Sequence, residues 1–242
     1  MTSVGRAGEE ARIGQLLCAW CAPIAMIMIL SGLWAAGFLP PPSPSLSELE
    51  IQAFYQLNSL AIRAGGILLM CGCAFSYPFI AAISAQMMRM RGRPAALAAT
   101  QLITGALSFV PPFITGLVWC AGAFRAELSA SDVRLMNDIG WFFLLMPTPA
   151  ASLQLGALGI AILCDDKAQP VFPRWLAYFN FWVAIFYLPC ATVALFKTGP
   201  FAWDGLFGFW VPLVVFGAWM MIMFYMLASD ARRGVAAAAP SS

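Results

Sequence analysis

The sequence predicts an all-α fold, a polytopic membrane protein built as a bundle of six transmembrane helices with both termini cytoplasmic. Three observations predict it. The 242 residues are 62% hydrophobic and only 10% charged, with a mean hydropathy of +0.82. A soluble domain carries roughly 25% charged residues and could not hide so much apolar surface. The apolar residues fall into six runs of about 20, the length at which a helix crosses the hydrocarbon core with its own backbone groups satisfied. The basic residues are divided unequally between the connections. Arg6, Arg12, Arg89, Arg91, Arg93, Lys167, Arg174, Arg232 and Arg233 fall on one side, nine of the 13 Lys and Arg, and Arg63, Arg125, Arg134 and Lys197 on the other. Short basic loops stay cytoplasmic, so nine against four sets the N-in, C-in orientation.

The expected spans cover about 16–38, 62–84, 97–119, 141–163, 175–196 and 206–226 of a single domain, 1–234, followed by a flexible tail, 235–242. The first run is too long for a signal-peptide core and reads as an uncleaved span. Pro40-Pro41-Pro42 ends it. Ser45 or Ser47 ahead of Glu48 and Glu50 then carries the signature of a helix N-cap with acids in the first turn, which predicts a short amphipathic helix over 47–55 at the outer surface, with Leu49, Ile51 and Phe54 facing the membrane or the bundle. The second span ends at the basic turn Arg89–Arg93. The third contains Pro111-Pro112. An outer loop over 125–138 leads to the fourth span, with Pro147 and Pro149 in its outer third and Asp165-Asp166-Lys167 at its exit. Phe172-Pro173-Arg174-Trp175 opens the fifth, and Gly199-Pro200 turns into the sixth. Trp34, Trp119, Trp141 and Trp203 are expected in the outer aromatic belt, and Trp20 and Trp175 in the inner one.

Several kinds of residue could carry function. Asn58, Arg63, Arg125, Glu127, Asn137, Asp138, Lys197 and Asp204 belong to the outer ends of the spans and form a candidate polar mouth. A charge at the end of a span calls for a partner, and Asp138 or Asp204 is the expected one for Arg63. The same residues also read, and more simply, as ion pairs and snorkelling side chains that clamp helix ends. Prolines occur in every span (Pro23, Pro78, Pro111, Pro112, Pro147, Pro149, Pro189, Pro212); each removes a backbone donor, and together they predict kinked helices around a cavity. Gln101, Thr104, Thr115, Gln154 and Asn180 are the polar residues at mid-membrane depth. Gln154 and Asn180 could hydrogen-bond a ligand or hold helices together. Trp182 and Trp210, in the aromatic-rich fifth and sixth spans, could line a pocket for a lipophile or face lipid. Gly65-Gly66, and Gly156 with Gly159, offer close helix contacts.

Much chemistry is excluded. Histidine is absent, which removes imidazole bases, bis-imidazole haem and His-based metal sites, so no metal or resident cofactor is expected. No Asp, Glu, Lys or Arg occupies a span centre to relay protons. Cys18-Ala-Trp-Cys21 has redox spacing but lies in a helix on the reducing side, and Cys71-Gly-Cys73 adds two more apolar-packed thiols. A net charge of +2 with the basic residues beside the spans argues against a nucleic-acid partner.

Three functions remain. In the first, the protein binds or passes a small lipophilic molecule, with Arg63, Asp138, Lys197 and Asp204 at the mouth and Gln154, Asn180, Trp182 and Trp210 along the lining. In the second, it is a non-catalytic accessory or scaffold subunit with a membrane-protein partner or a second copy of itself. In the third, it is a membrane enzyme using the outer carboxylates Glu127, Asp132 and Asp138, a reading that lacks both a histidine and a nucleophile motif.

Overall fold

The computed structural model describes residues 3–236, with side chains over 10–230. Arg6, Arg232, Arg233 and residues 237–242 of the expected tail therefore lie outside what is described, in side chain or altogether. Among the described residues there are eight α-helices: α1 (Ser3–Ala35), α2 (Glu48–Leu57), α3 (Ser59–Met87), α4 (Ala95–Gly122), α5 (Ala130–Leu145), α6 (Thr148–Cys164), α7 (Arg174–Tyr187) and α8 (Val211–Ala236). A 3₁₀ helix (Leu188–Leu195) extends α7, and a π turn (Leu206–Trp210) precedes α8. No strand occurs among the described residues. Among the described residues six segments are long and apolar enough to cross a membrane: Glu10–Ala35, Ser59–Met87, Ala95–Gly122, Ala130–Cys164, Arg174–Leu195 and Leu206–Asp230. The architecture is that of a membrane bundle.

The six spans stand in a ring, in chain order. α1 packs on α3, α3 on α4, α4 on α5 and α6, α6 on α7, α7 on α8, and α8 returns to α1. The thinnest seam joins α7 and α8. Glycines bring the first three spans close. A Cβ on Gly32 would sit 2.7 Å from the Gly65 carbonyl oxygen, and one on Gly116 would sit 2.6 Å from that of Gly66. The Gly65-Gly66 pair therefore seats α3 between α1 and α4, one glycine to each neighbour, as small residues do where lipid supplies no hydrophobic drive. The second expected pair divides: a Cβ on Gly156 would meet nothing, whereas Gly159 receives the Phe181 ring.

The short helix expected over 47–55 is α2. Ser47 and Glu50 form a reciprocal capping box, with the Glu50 amide donating to Ser47 Oγ at 3.3 Å and the Ser47 amide to Glu50 Oε2 at 2.8 Å. Ile51 and Tyr55 form its buried face, while Leu49 is exposed. The loop expected over 125–138 is helical from Ala130, because Ser129 accepts the Asp132 amide and starts α5 there. The fourth span is thus two helices meeting at Met146-Pro147.

The two ends of the ring differ. At the basic end, Asp165 is only 3% exposed and accepts the amides of Arg91 (3.1 Å) and Val171 (3.0 Å). Asp230 receives Gln86 Nε2 at 2.8 Å and pairs with Arg89, and Lys167 donates to the Arg89 carbonyl. The opposite end is aromatic. Trp119, Trp141 and Trp203, expected as belt residues, are buried there instead. The Phe38 ring centre lies 4.1 Å from that of Trp119, tilted, and 5.7 Å from that of Trp141, edge to face, and Trp141 lies parallel to Trp203 at 6.2 Å. Gly140 makes this possible, since any Cβ there would collide with the Trp119 indole. Among the expected outer belt residues, Trp34 alone is exposed.

Candidate ligand cavity and outer groove

Pro23, Pro78, Pro111 and Pro112 lie within helices that continue through them. Irregular backbone gathers instead at Pro147, Pro189 and Pro212, where the last three spans break, turn 3₁₀ or begin with a π turn. Each change strands a carbonyl, and side chains take some of them up. Pro212 has no N–H for the Gly208 carbonyl, and the Cys190 thiol donates there at 3.2 Å. The shift to 3₁₀ geometry sends the Leu188 amide to Ile185, and the Ser152 hydroxyl takes the Ala184 carbonyl at 3.1 Å.

These three breaks surround a cavity of about 150 Å³ in the middle of the ring. Its wall is almost wholly apolar: Ile29 and Leu33 from α1, Leu69 and Cys73 from α3, and Phe109 and Phe216 from α4 and α8 are typical. Phe209 borders it and touches Trp141 at 6.0 Å, so the aromatic cluster caps one end. Trp219 borders the other. No Asp, Glu, Lys or Arg lines it.

Gln154 lines this cavity, 3% exposed, with its Nε2 unpaired. Asn180 does not. It is fully buried and joins α7 to α8, accepting from Trp219 Nε1 at 2.9 Å and donating to the Leu176 carbonyl at 2.7 Å. Trp182, 60% exposed, and Trp210, 38% exposed, are also absent from the wall. Thr148 and Tyr187 are lining residues that reading the sequence missed. Pro147 beside Thr148 and Pro189 after Tyr187 are the signals that could have found them.

The expected mouth divides into separate parts. Arg63 Nε donates to the Ser59 carbonyl of its own helix at 3.2 Å, and its guanidinium lies 6.0 Å from the Phe124 ring centre. It pairs with neither Asp138 nor Asp204: it sits on the side where α2 and the end of α4 meet, and the aromatic ring and helix carbonyl satisfy it. There it lines a groove of about 400 Å³ with Gln52, Tyr55, Gln56 and Arg125. Asp138 belongs to another group, accepting from Asn137 Nδ2 at 3.2 Å within electrostatic reach of Arg134 and Lys197. Asp204 is half-buried in the loop before α8, beside Trp203, whose Nε1 donates to the Pro42 carbonyl at 2.8 Å. Burial, with Asp138 nearby, pushes the Tyr55 phenol well above its usual range and keeps it neutral as it donates to Asn137 Oδ1 at 3.4 Å. Asn58 caps its own turn, donating to the Phe54 carbonyl at 2.9 Å. Glu127 pairs with Arg125 at 3.3 Å in solvent, and its own backbone amide, with Arg125 second, holds its carboxyl below the usual value.

No group of three or more His, Cys, Asp or Glu able to hold a metal occurs among the described residues. No protein family, curated protein or solved structure matches the chain.

Proposed function

We propose that this integral membrane protein binds, or passes, a small lipophilic molecule in the cavity at the centre of its helix ring. The observation that carries the reading is the cavity itself, an apolar chamber placed where three spans abandon regular helix together. Natural interiors are close-packed, and a partly open pocket lined by all six spans forgoes contacts that ordinary packing would supply. Roughly 150 Å³ of apolar space holds a molecule the size of a benzene ring. Irregular backbone at membrane depth suits a protein-lined cavity and is not tolerated against lipid.

The basic end faces the cytoplasm in this proposal, with both termini, and the aromatic end faces outward in the cell membrane. Arg63 on one side, and the Asp138–Lys197 group with Asp204 on the other, flank the mouth. Passage requires the Phe38–Trp141–Trp203 cluster to move, whereas binding does not. Asn180, with its side-chain amide committed to Leu176 and Trp219, supports the wall from behind.

The reading is tested by native mass spectrometry on protein released gently from its own membrane. A retained small molecule is the expected result. A stoichiometric protein partner with no small molecule would favour the accessory-subunit reading, for which the exposed α7 stripe of Trp175, Tyr178, Trp182 and Ile185 is the available surface.

A further inference from the structure

The cavity wall is apolar except for a few polar groups, and two of them are enclosed with no hydrogen bond to the protein. Gln154 Nε2 and Thr148 Oγ1 are enclosed and unpaired. Tyr187 is 7% exposed and lines the same space. Each belongs to a broken span: Thr148 and Gln154 to the helix that restarts after Pro147, and Tyr187 to the last residue before the 3₁₀ segment. A buried donor left unmade costs about 1–3 kcal/mol, and most such groups in native proteins have a partner.

Resting on the cavity reading above, we infer that the occupant is an uncharged ring-sized molecule carrying oxygen, as a carbonyl or a hydroxyl, and that Gln154, Thr148 and Tyr187 receive that oxygen. Charge is excluded by the wall, which offers no counter-ion to a desolvated ion. The chemistry of the three groups allows either oxygen type. An amide donates and accepts, and so does each hydroxyl. Part of the Gln154 amide has a competing partner within the protein, since Gln101 Oε1 on the adjacent helix is also unpaired. An amide-to-amide contact would still leave the Thr148 hydroxyl open.

The test uses three probes of one shape, cyclohexane, cyclohexanone and cyclohexanol, titrated into the full chain in a single detergent by calorimetry. Each probe is compared between wild type and variant, so partitioning into micelles cancels. The expected result is that Tyr187→Phe and Gln154→Leu each weaken the oxygenated probes about tenfold, the loss of one hydrogen bond, while cyclohexane is unchanged. Tyr187→Phe removes only a hydroxyl, so it remains informative where Gln154→Leu fails to fold. Whichever of the ketone and the alcohol loses more identifies the oxygen. If all three probes bind and neither variant discriminates among them, the oxygen assignment is overturned while the cavity reading stands. If none of the three binds wild type, the cavity reading itself falls.

Discussion

The two ends of the helix ring hold together by opposite means. At the basic end the helices are regular and the connections are tied by polar contacts: Asp165 beneath two backbone amides, Asp230 beneath Gln86 and Arg89. At the aromatic end three spans are irregular, and Phe38, Trp119, Trp141 and Trp203 pack edge to face and face to face to fill the space. Hydrogen bonds are directional and fix loops where water competes. Large rings tolerate uneven backbone because their attraction depends on area more than on angle. The lesson is that irregular helix and an open cavity can be kept at one end of a bundle when the other end is pinned.

The largest expected effect is at the aromatic end. Trp141→Ala should cost about 4 kcal/mol in unfolding measured in detergent, the range for removing a buried ring. Trp182→Ala, on the exposed face, should change stability little. Equal losses from the two would break the distinction between cluster and lipid-facing bulk.

Next in size is Asp165→Ala, at about 3 kcal/mol, because the Arg91 and Val171 amides lose their acceptor while still enclosed. Asp165→Asn keeps an amide oxygen and should cost less. If alanine proves as mild as asparagine, polar pinning of the basic end is wrong.

Arg91→Ala should cost no more than about 0.5 kcal/mol. The Arg91–Asp166 pair is 3.1 Å apart but both side chains are largely exposed, and water screens it. A larger loss would show that surface charge, and not the buried Asp165, secures that turn.

The smallest effect concerns α2 and is visible only against pH. The Ser47 amide and hydroxyl hold the Glu50 carboxyl below its ordinary value of 4.5. A carboxyl with a depressed folded-state pKa contributes its stability above the ordinary value and loses it as pH falls through the folded one. Amide protection in the first turn of α2 should therefore decline on acidification below about pH 4.5 in wild type and stay flat in Glu50→Gln. Parallel curves would mean that the ionised box contributes nothing.

Much of this was legible in the residues. The six spans follow from composition and run length, and α2 from Ser47 and Glu50, since both depend on local pattern. The start of α5 was also written locally, in Ser129 with Asp132 three residues on, a cap signature overlooked among the surrounding charges. The burial of Trp119 and Trp141 was not legible. A tryptophan near a span end fits a lipid belt and an interior cluster equally, and the deciding residue, Gly140, lies on a different span from Trp119. The same is true of the candidate site. Gln154 stood out as a polar residue in an apolar run, but Asn180 looks identical in sequence and is already bonded to Trp219. Arg63 was given a carboxylate partner by charge alone, whereas an aromatic ring and a helix carbonyl were nearer.

The ring runs in chain order and closes where α8 meets α1. Every span after the first can therefore be laid against the one synthesised just before it, with neighbours in sequence serving as neighbours in space. Until α8 arrives the ring has a gap, and the chamber has no final wall. The sixth span supplies that wall, so under the proposed function a growing chain could hold a ligand only once this span has been made.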